Sequence, residues 1–201
     1  ESNRDFKFDI LMANPPFAGD IKESRILAKY ELGKKPNGKT QTKVGRDILF
    51  IERNLDFLKD GGRMAIVLPQ GRFNNSSDKA IREFIAERCR ILAVVGLHGN
   101  VFKPHTGTKT SVLFVQKWHD ELCPKVEDYP IFFATMQEPS KDNSGDKIFV
   151  HNEDGSPVLD SHGHLIVKHD LFNHDGKTQD GIAEAFLEFA KKEKLSFVGK
   201  S

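Results

Sequence analysis

Two uninterrupted apolar runs limit this chain more than any other feature: "RMAIVLP" at residues 63–69 and "ILAVVGL" at residues 91–97. A strand with no polar alternation has no face to give to water, so each run reads as a strand covered on both faces of a parallel sheet. Between them, "DKAIREFIAERC" repeats Ile81, Phe84 and Ile85 at helical spacing behind a Ser76 or Ser77 cap. Ahead of both, "RDILFIERNLDFLKDGG" sets Ile48, Ile51, Leu55 and Leu58 on one helical face, with Gly61 and Gly62 as the stop. A shorter run at residues 8–13 reads as one more buried strand, cut off by prolines. Strand, helix, strand, helix, strand is the order of a right-handed parallel α/β sheet. "TSVLFVQKW" follows after "HGNVFKPHTGTK", a connection too short for a helical crossover, and is expected to run antiparallel to its predecessor.

At 201 residues the chain has material for one core, burying about 70% of its unfolded surface. With 38% hydrophobic and 29% charged residues and no apolar run of about 18, a transmembrane helix is excluded. The charged start "ESNRDFKF" has no apolar signal segment. Cys89 and Cys123 fit no metal spacing and read as two reduced thiols, so a cytoplasmic location is expected. The formal net charge of +1 hides an uneven distribution. Lys22, Arg25, Lys29, Lys34, Lys35, Lys39, Lys43 and Arg46 face only Glu23 and Glu31, whereas Asp and Glu dominate from Asp120 to Asp160. The basic segment holds a weakly helical piece, Ile21 to Leu32, and "GKKPNGKTQTKVG", which reads as a mobile loop. Lys34, Lys35, Lys39 and Lys43 are candidates for contact with a nucleic-acid backbone; the plain alternative is a solvated loop.

Past Asp120 the patterning is weaker. "PIFFATM" and "KIFVHN" are strand candidates, "NEDGSP" and "DSHGHL" carry turn chemistry, and "DGIAEAFLEFAKKE" is an amphipathic helix with Ile182, Ala185, Phe186 and Phe189 on one side. No internal repeat is visible. His162, His164, His169 and His174 lack a Cys or carboxylate at structural zinc spacing, so they read as turn histidines and no metal is expected. "FVGKS" at the terminus imitates a phosphate-binding loop but has Lys194 where the first glycine belongs. Trp118 and Tyr129 read as core or interface residues.

"FDILMANPPFAG" drives its apolar run into Asn14, Pro15, Pro16 and Phe17. In an open α/β sheet, ligands sit beyond the carboxyl ends of the strands. Pro15 restricts Asn14 to extended geometry, Pro16 does the same to Pro15, and neither proline has an N–H. What results is a rigid acceptor pair, the Asn14 side-chain oxygen and the Pro15 carbonyl, followed by an aromatic ring. Such a pair suits an exocyclic amine, whose delocalised lone pair makes it a poor nucleophile. Fixed acceptors that grip both hydrogens expose that lone pair, which is electrostatic preorganisation, and a stacked ring holds the flat substrate in line.

"FDILMANPPFAG", "LFIERNLDFLKDGGRMAIVLPQG" and "VVGLHGNVFKPHTGTKTSVLFVQK" together resemble the catalytic half of the amino-methyltransferases that act on adenine in DNA. The resemblance is closest to the modification subunit of type I restriction-modification systems; it covers about residues 6–118 well and the tail to Ser201 loosely. It implies a partial S-adenosylmethionine-dependent methyltransferase fold, Rossmann-like, with a parallel sheet and an antiparallel last strand. Residues 1–118 would be the catalytic half, and 119–201 an extension of short strands and a terminal helix. It also implies S-adenosylmethionine as methyl donor and an adenine rotated out of double-stranded DNA, because the amine is out of reach inside the stack. Asn14 and Pro15 match the family's acceptors for that amine, Phe17 matches the stacking aromatic beside Pro16, and Phe102 falls where relatives place an aromatic against the flipped base. The implied partners are a specificity subunit, which reads the sequence, and a restriction subunit.

The family's glycine-rich donor loop precedes this block, yet only thirteen residues precede Asn14. Neither "GLHGN" nor "DGGR" follows a strand in the needed pattern. The chain is therefore expected to be the C-terminal part of a longer enzyme, inactive and weak in donor binding by itself. Two alternatives stay open: methylation of another planar amine, a glutamine amide or a guanine of ribosomal RNA, and a non-catalytic DNA-binding or assembly module of the same fold.

Overall fold

The computed structural model describes residues 6–199; the first five residues, Lys200 and Ser201 lie outside it, so the ends of "ESNRDFKF" and "FVGKS" are not described. In chain order the elements are β1 (Phe8–Ala13), β2 (Asp20–Ile21), α1 (Ser24–Leu27), β3 (Val44–Gly45), α2 (Arg46–Phe57), β4 (Leu58–Pro69), α3 (Gly71–Asn74), a 3-10 turn (Ser76–Asp78), α4 (Lys79–Arg88), β5 (Cys89–Gly96), β6 (Thr110–Lys117), β7 (Phe132–Thr135) and α5 (Ile182–Lys192). They fall into two compact units, residues 1–94 with 111–131, and residues 95–110 with 132–201. The units interleave along the chain, and neither has a boundary at residue 118.

In the first unit the strands run in the order β1, β4, β6, β5. β1 and β4 are parallel, with Ile10 opposite Arg63 and Ala13 opposite Ile66. β6 runs antiparallel to β5: Trp118 N–H donates to the Arg88 carbonyl at one end and Leu97 N–H to the Thr110 carbonyl at the other. The mostly parallel α/β sheet read from the alternating apolar runs is thus present. Its core joins Ile51 and Leu55 of α2, Met64, Ile66 and Leu68 of β4, Ile81, Phe84 and Ile85 of α4, and Leu113 and Val115 of β6. Each such side chain stabilises the fold by about 1.5–3 kcal/mol relative to exposure.

Several local expectations are corrected. Residues 8–13 do form a strand, but not a buried one: Phe8, Ile10 and Met12 are exposed, Met12 by 81%. β1 is an edge strand whose only ladder among the described residues is with β4. β4 is fully buried on one face only, its residues alternating between buried and half-buried. Helix α2 stops at Phe57, not at Gly61, because Leu58 is fully buried and opens β4. Gly61 and Gly62 instead lie within β4, where the register jumps from Phe8–Leu58 to Ile10–Arg63; this bulge absorbs the extra residues. The helix expected from Ile21 to Leu32 is only one turn, α1, because Asp20 and Ile21 pair with Gly45 and Val44 as a two-stranded clip. "GKKPNGKTQTKVG" is tied down: Lys35 N–H donates to Lys39, and the Gln41 N–H and side-chain amide donate to the carbonyls of Gly33 and Leu32. Neither Ser76 nor Ser77 caps α4; they form the 3-10 turn, and Asp78 holds the N-cap position without a side-chain cap bond.

One charged group is buried in this unit almost completely. Asp47, in the first turn of α2, is 2% exposed and receives a bidentate pair from Arg72 of α3, Nε to Oδ2 at 2.7 Å and Nη2 to Oδ1 at 3.0 Å. Arg72 also donates to Asp78 at 3.2 Å, and the bond to Asp47 raises its pKa above the ordinary arginine value. The pair ties the segment after β4 to the start of α2, where position matters for everything at the carboxyl end of the sheet.

In the second unit, β7 lies beside the end of β5, with Met136 N–H donating to the Gly96 carbonyl. α5 packs on β7 through Phe132, whose ring centroid is 5.6 Å from Phe186 and 5.7 Å from Phe189. "KIFVHN" forms only isolated bridges. Contrary to the expectation of no repeat, three turns share one construction: Asp142 to Asp146, Asn152 to Ser156 and Asp160 to His164. In each, the first N–H donates to the carbonyl four residues on, and a glycine at the fourth position donates back and has positive φ. Pairing between the turns builds the repeat: Val158 N–H donates to the Val150 carbonyl, and Ile166 N–H to the Val158 carbonyl. Backbone N–H groups, that of Asp146 foremost, hold the Asp142 carboxyl below the usual carboxylate range.

The buried groups make two expectations measurable. Arg72→Ala strands the Asp47 carboxylate; breaking a buried pair costs about 3–5 kcal/mol, and the partial exposure of Arg72 places this loss near about 3 kcal/mol in urea denaturation. A loss of less than about 1 kcal/mol would show that water replaces the guanidinium. Burial pushes the Cys89 thiol up to about 12, whereas an unfolded thiol ionises near 8.5. The folded pKa is the higher, so this contribution is complete below pH ~8.5 and declines as pH rises toward 12, by at most about 1.4 kcal/mol per pH unit. Urea titrations of wild type and Cys89→Ala should differ in slope over that window, and alkylation at pH 8 should label Cys89 only after unfolding.

Candidate active site

Asn14 to Phe17 sit immediately beyond the carboxyl end of β1, one residue past the Ala13–Ile66 pair. On the far side, the Arg46 N–H donates to the Gly19 carbonyl at 3.0 Å, and the β2–β3 clip begins at Asp20. The tetrapeptide is thus fixed at both ends, by the sheet and by the start of α2. Pro15 is buried, Phe17 is half-buried, and Asn14 and Pro16 are exposed. Among the described residues the Asn14 side chain makes no hydrogen bond, so its carboxamide keeps its full capacity for a ligand.

Two concavities lie in this unit near the clip. One, about 400 Å³, is apolar and is lined by Pro16, Ile21, Ile26, Tyr30, Leu49 and Phe50, with Arg46 and Arg53. The other, about 960 Å³, includes Lys34, Lys35 and Lys43 with Glu31, Glu52, Asp78 and Glu83. Neither of these two is lined by Asn14, Pro15 or Phe17. Lys34, Lys35, Lys39 and Lys43 are all exposed, and Lys43 is 3.7 Å from Asp20. Glu52, by contrast, is structural: its two oxygens accept the N–H groups of Glu31 and Leu32 at 2.8 Å.

Phe102 belongs to the second unit, in the loop between β5 and β6, and is half-buried. That loop closes on itself through bonds from Val101 to His98, Lys103 to Asn100 and His105 to Phe102. It is also gripped by the first of the three turns, a feature that sequence patterning does not reveal. The available signal is the Asp142-to-Gly145 spacing, which repeats the turn chemistry of "NEDGSP" and "DSHGHL".

Trp118 and Tyr129 form an edge-to-face pair at 5.8 Å in the first unit. The Trp118 indole donates to the Ala86 carbonyl, and the Tyr129 hydroxyl accepts the Ile91 N–H. These bonds assign both to structure. His162 and His164 are exposed in the third turn, while His169 is 3.3 Å from Asp180 and His174 2.9 Å from Asp170. Among the described residues, no group of three or more His, Cys, Asp or Glu is placed to hold a metal ion. No helix among them is long and apolar enough to cross a membrane.

The sheet order, with its antiparallel strand inserted next to β4, defines the class: an S-adenosylmethionine-dependent methyltransferase fold. A class I methyltransferase of that kind from Listeria monocytogenes superposes on 66% of this chain and 38% of its own, with a TM-score of 0.55 at 20% identity. A chain from a type I R-M system superposes on 98% of this chain and 33% of its own, with a TM-score of 0.55 at 18% identity. The family model described as N-6 DNA Methylase matches residues 1–192, and the chain belongs to that family. The type I restriction enzyme EcoEI methylase subunit of Escherichia coli is 34% identical over 117 residues, 58% of this chain and 22% of that subunit. The chain thus spans about a fifth of that relative's length.

In such a sheet the donor's seat is a glycine-rich turn beyond a strand, where a missing Cβ leaves room. At the glycines within the strands of the first unit the space of a Cβ is taken by the chain's own atoms. A Cβ at Gly62 would lie 2.8 Å from the Lys59 carbonyl oxygen, one at Gly61 2.8 Å from Leu122, and one at Gly45 2.8 Å from Asp47. These glycines do not fit the donor.

Proposed function

We propose that this chain supplies the amine-binding half of a DNA adenine methyltransferase, with residues 1–118 as its catalytic half and 119–201 as an extension. The observation that carries the reading is the exposed Asn14 carboxamide, without a hydrogen bond among the described residues, held beyond the end of β1 beside Pro15 and the half-buried Phe17 ring. An adenine turned out of double-stranded DNA places its amine against Asn14 Oδ1 and the Pro15 carbonyl, each accepting one hydrogen, while Phe17 stacks on the ring beside Pro16. Phe102 is assigned a contact with the base. Holding both hydrogens turns the nitrogen lone pair outward as the nucleophile. S-adenosylmethionine is the methyl source that the fold implies, and its seat is assigned to none of the described residues.

Membership in the N-6 DNA Methylase family favours adenine over a glutamine amide or a ribosomal guanine. The likeness to the EcoEI methylase subunit, one subunit of a type I restriction enzyme, supports assembly with a specificity subunit and a restriction subunit; a cytoplasmic location belongs to the same reading. Lys34, Lys35, Lys39 and Lys43 are assigned to the DNA backbone.

In the full-length protein, Asn14→Ala should lower kcat/KM for transfer of labelled methyl groups to DNA by about 10²–10³, the cost of one preorganised partner. Because Asn14 is exposed and unbonded, stability should move by less than about 0.5 kcal/mol, and DNA affinity should be retained. Undiminished incorporation into adenine would refute the assignment. Replacing Lys34, Lys35 and Lys39 with Gln should leave sequence preference alone and reduce the slope of log K against log salt by about 0.9 for each phosphate no longer neutralised. An unchanged slope would return these lysines to the status of a solvated loop.

A further inference from the structure

The three turns of the second unit are built alike, yet only one has its glycine against another segment. At Gly155 and Gly163 an added Cβ would meet nothing within 4 Å. At Gly145 it would lie 2.6 Å from both Cδ and N of Pro104 and 2.8 Å from the Lys103 carbonyl carbon. The backbone of this turn therefore rests directly on the loop that carries Phe102. Two hydrogen bonds cross the same junction: Asn100 Nδ2 donates to the Lys141 carbonyl at 3.0 Å, and Lys141 Nζ donates to the Lys103 carbonyl at 3.0 Å. The Asn143 side-chain oxygen accepts longer bonds from Asn100 and Lys103, at 3.4 and 3.5 Å.

These bonds and the close approach at Pro104 fall two residues before Phe102 and one and two residues after it. A grip on both flanks fixes the direction of the residue between them. The gripping turn is itself rigid, since Asp142 Oδ1 accepts the N–H groups of Ser144, Gly145 and Asp146 at 2.8, 2.8 and 3.0 Å. Within the loop itself, tight turns run between His98 and Thr106. We propose that the Lys141–Gly145 turn is the positioning element for Phe102, and that this is a role of the C-terminal extension: it sets the ring that meets the flipped base. The inference rests on the assignment of Phe102 to the base, and Gly145, Asn100 and Lys141 are positioning residues that do not themselves touch substrate.

Gly155 supplies an internal control, because Gly145→Ala and Gly155→Ala both place an L side chain at positive φ and only the first adds a clash. In the full-length protein, Gly145→Ala should speed amide hydrogen exchange of residues 101–106 by about tenfold or more, and Gly155→Ala should not. At saturating DNA, kcat for methyl transfer should fall by about tenfold in Gly145→Ala, as expected for a misplaced ring, and should be unchanged in Gly155→Ala. Asn100→Ala and Lys141→Met, which each remove one bond without altering backbone strain, should move both readouts in the same direction. Unchanged exchange in Gly145→Ala and Asn100→Ala would overturn the positioning role whatever the activity. Faster exchange with full kcat, in a protein where Phe102→Ala does lower kcat, would also overturn it. Phe102→Ala with full activity would instead defeat the assignment of Phe102 to the base, an outcome that the exchange data keep separate.

Discussion

The parallel pairing of β1 with β4 is the constraint on which the rest depends. Four consecutive pairs, from Ile10–Arg63 to Ala13–Ile66, deliver Asn14 to the carboxyl end of the sheet. There Pro15 and Pro16 make it impossible for the chain to continue as an interior strand. A one-residue slip would exchange the two faces of β1 and turn the half-buried Leu11 and Ala13 outward. The bulge at Gly61 and Gly62 takes up the residues that would otherwise spoil this register. The Arg72–Asp47 pair then locks the segment after β4 to the start of α2, whose first N–H in turn holds Gly19. Register, bulge and buried ion pair therefore converge on the same four residues.

Much of this was legible in the residues themselves. Continuous apolar runs marked β4 and β5, helical spacing marked α2 and α4, and the short connection after Leu97 correctly implied an antiparallel β6. Boundaries were less legible. Leu58 fits the apolar face of α2 as well as a strand, and its full burial at the start of β4 is decided by tertiary packing, which helical spacing cannot register. The exposure of Ile10 and Met12 was also hidden, because an apolar strand at an edge has the same composition as one in the interior.

The candidate site divides in the same way. Asn-Pro-Pro-Phe announces itself because two prolines after a strand serve no continuing ladder. What the structure adds is that Asn14 is exposed and Pro15 buried beyond the end of β1. The hold on the Phe102 loop was invisible, since Asn100 and Lys141 are far apart in sequence and Asp142 to Gly145 reads as any other polar turn. Only the contrast between Gly145 and the two unencumbered glycines distinguishes it.

The most direct measurement is the position of the target adenine in a structure of the full-length protein bound to its DNA site. The amine nitrogen should lie within about 2.7–3.2 Å of both Asn14 Oδ1 and the Pro15 carbonyl oxygen, with the Phe17 ring parallel to the base. An adenine seated elsewhere, or one whose amine is held by other groups while Asn14 faces solvent, would contradict the account.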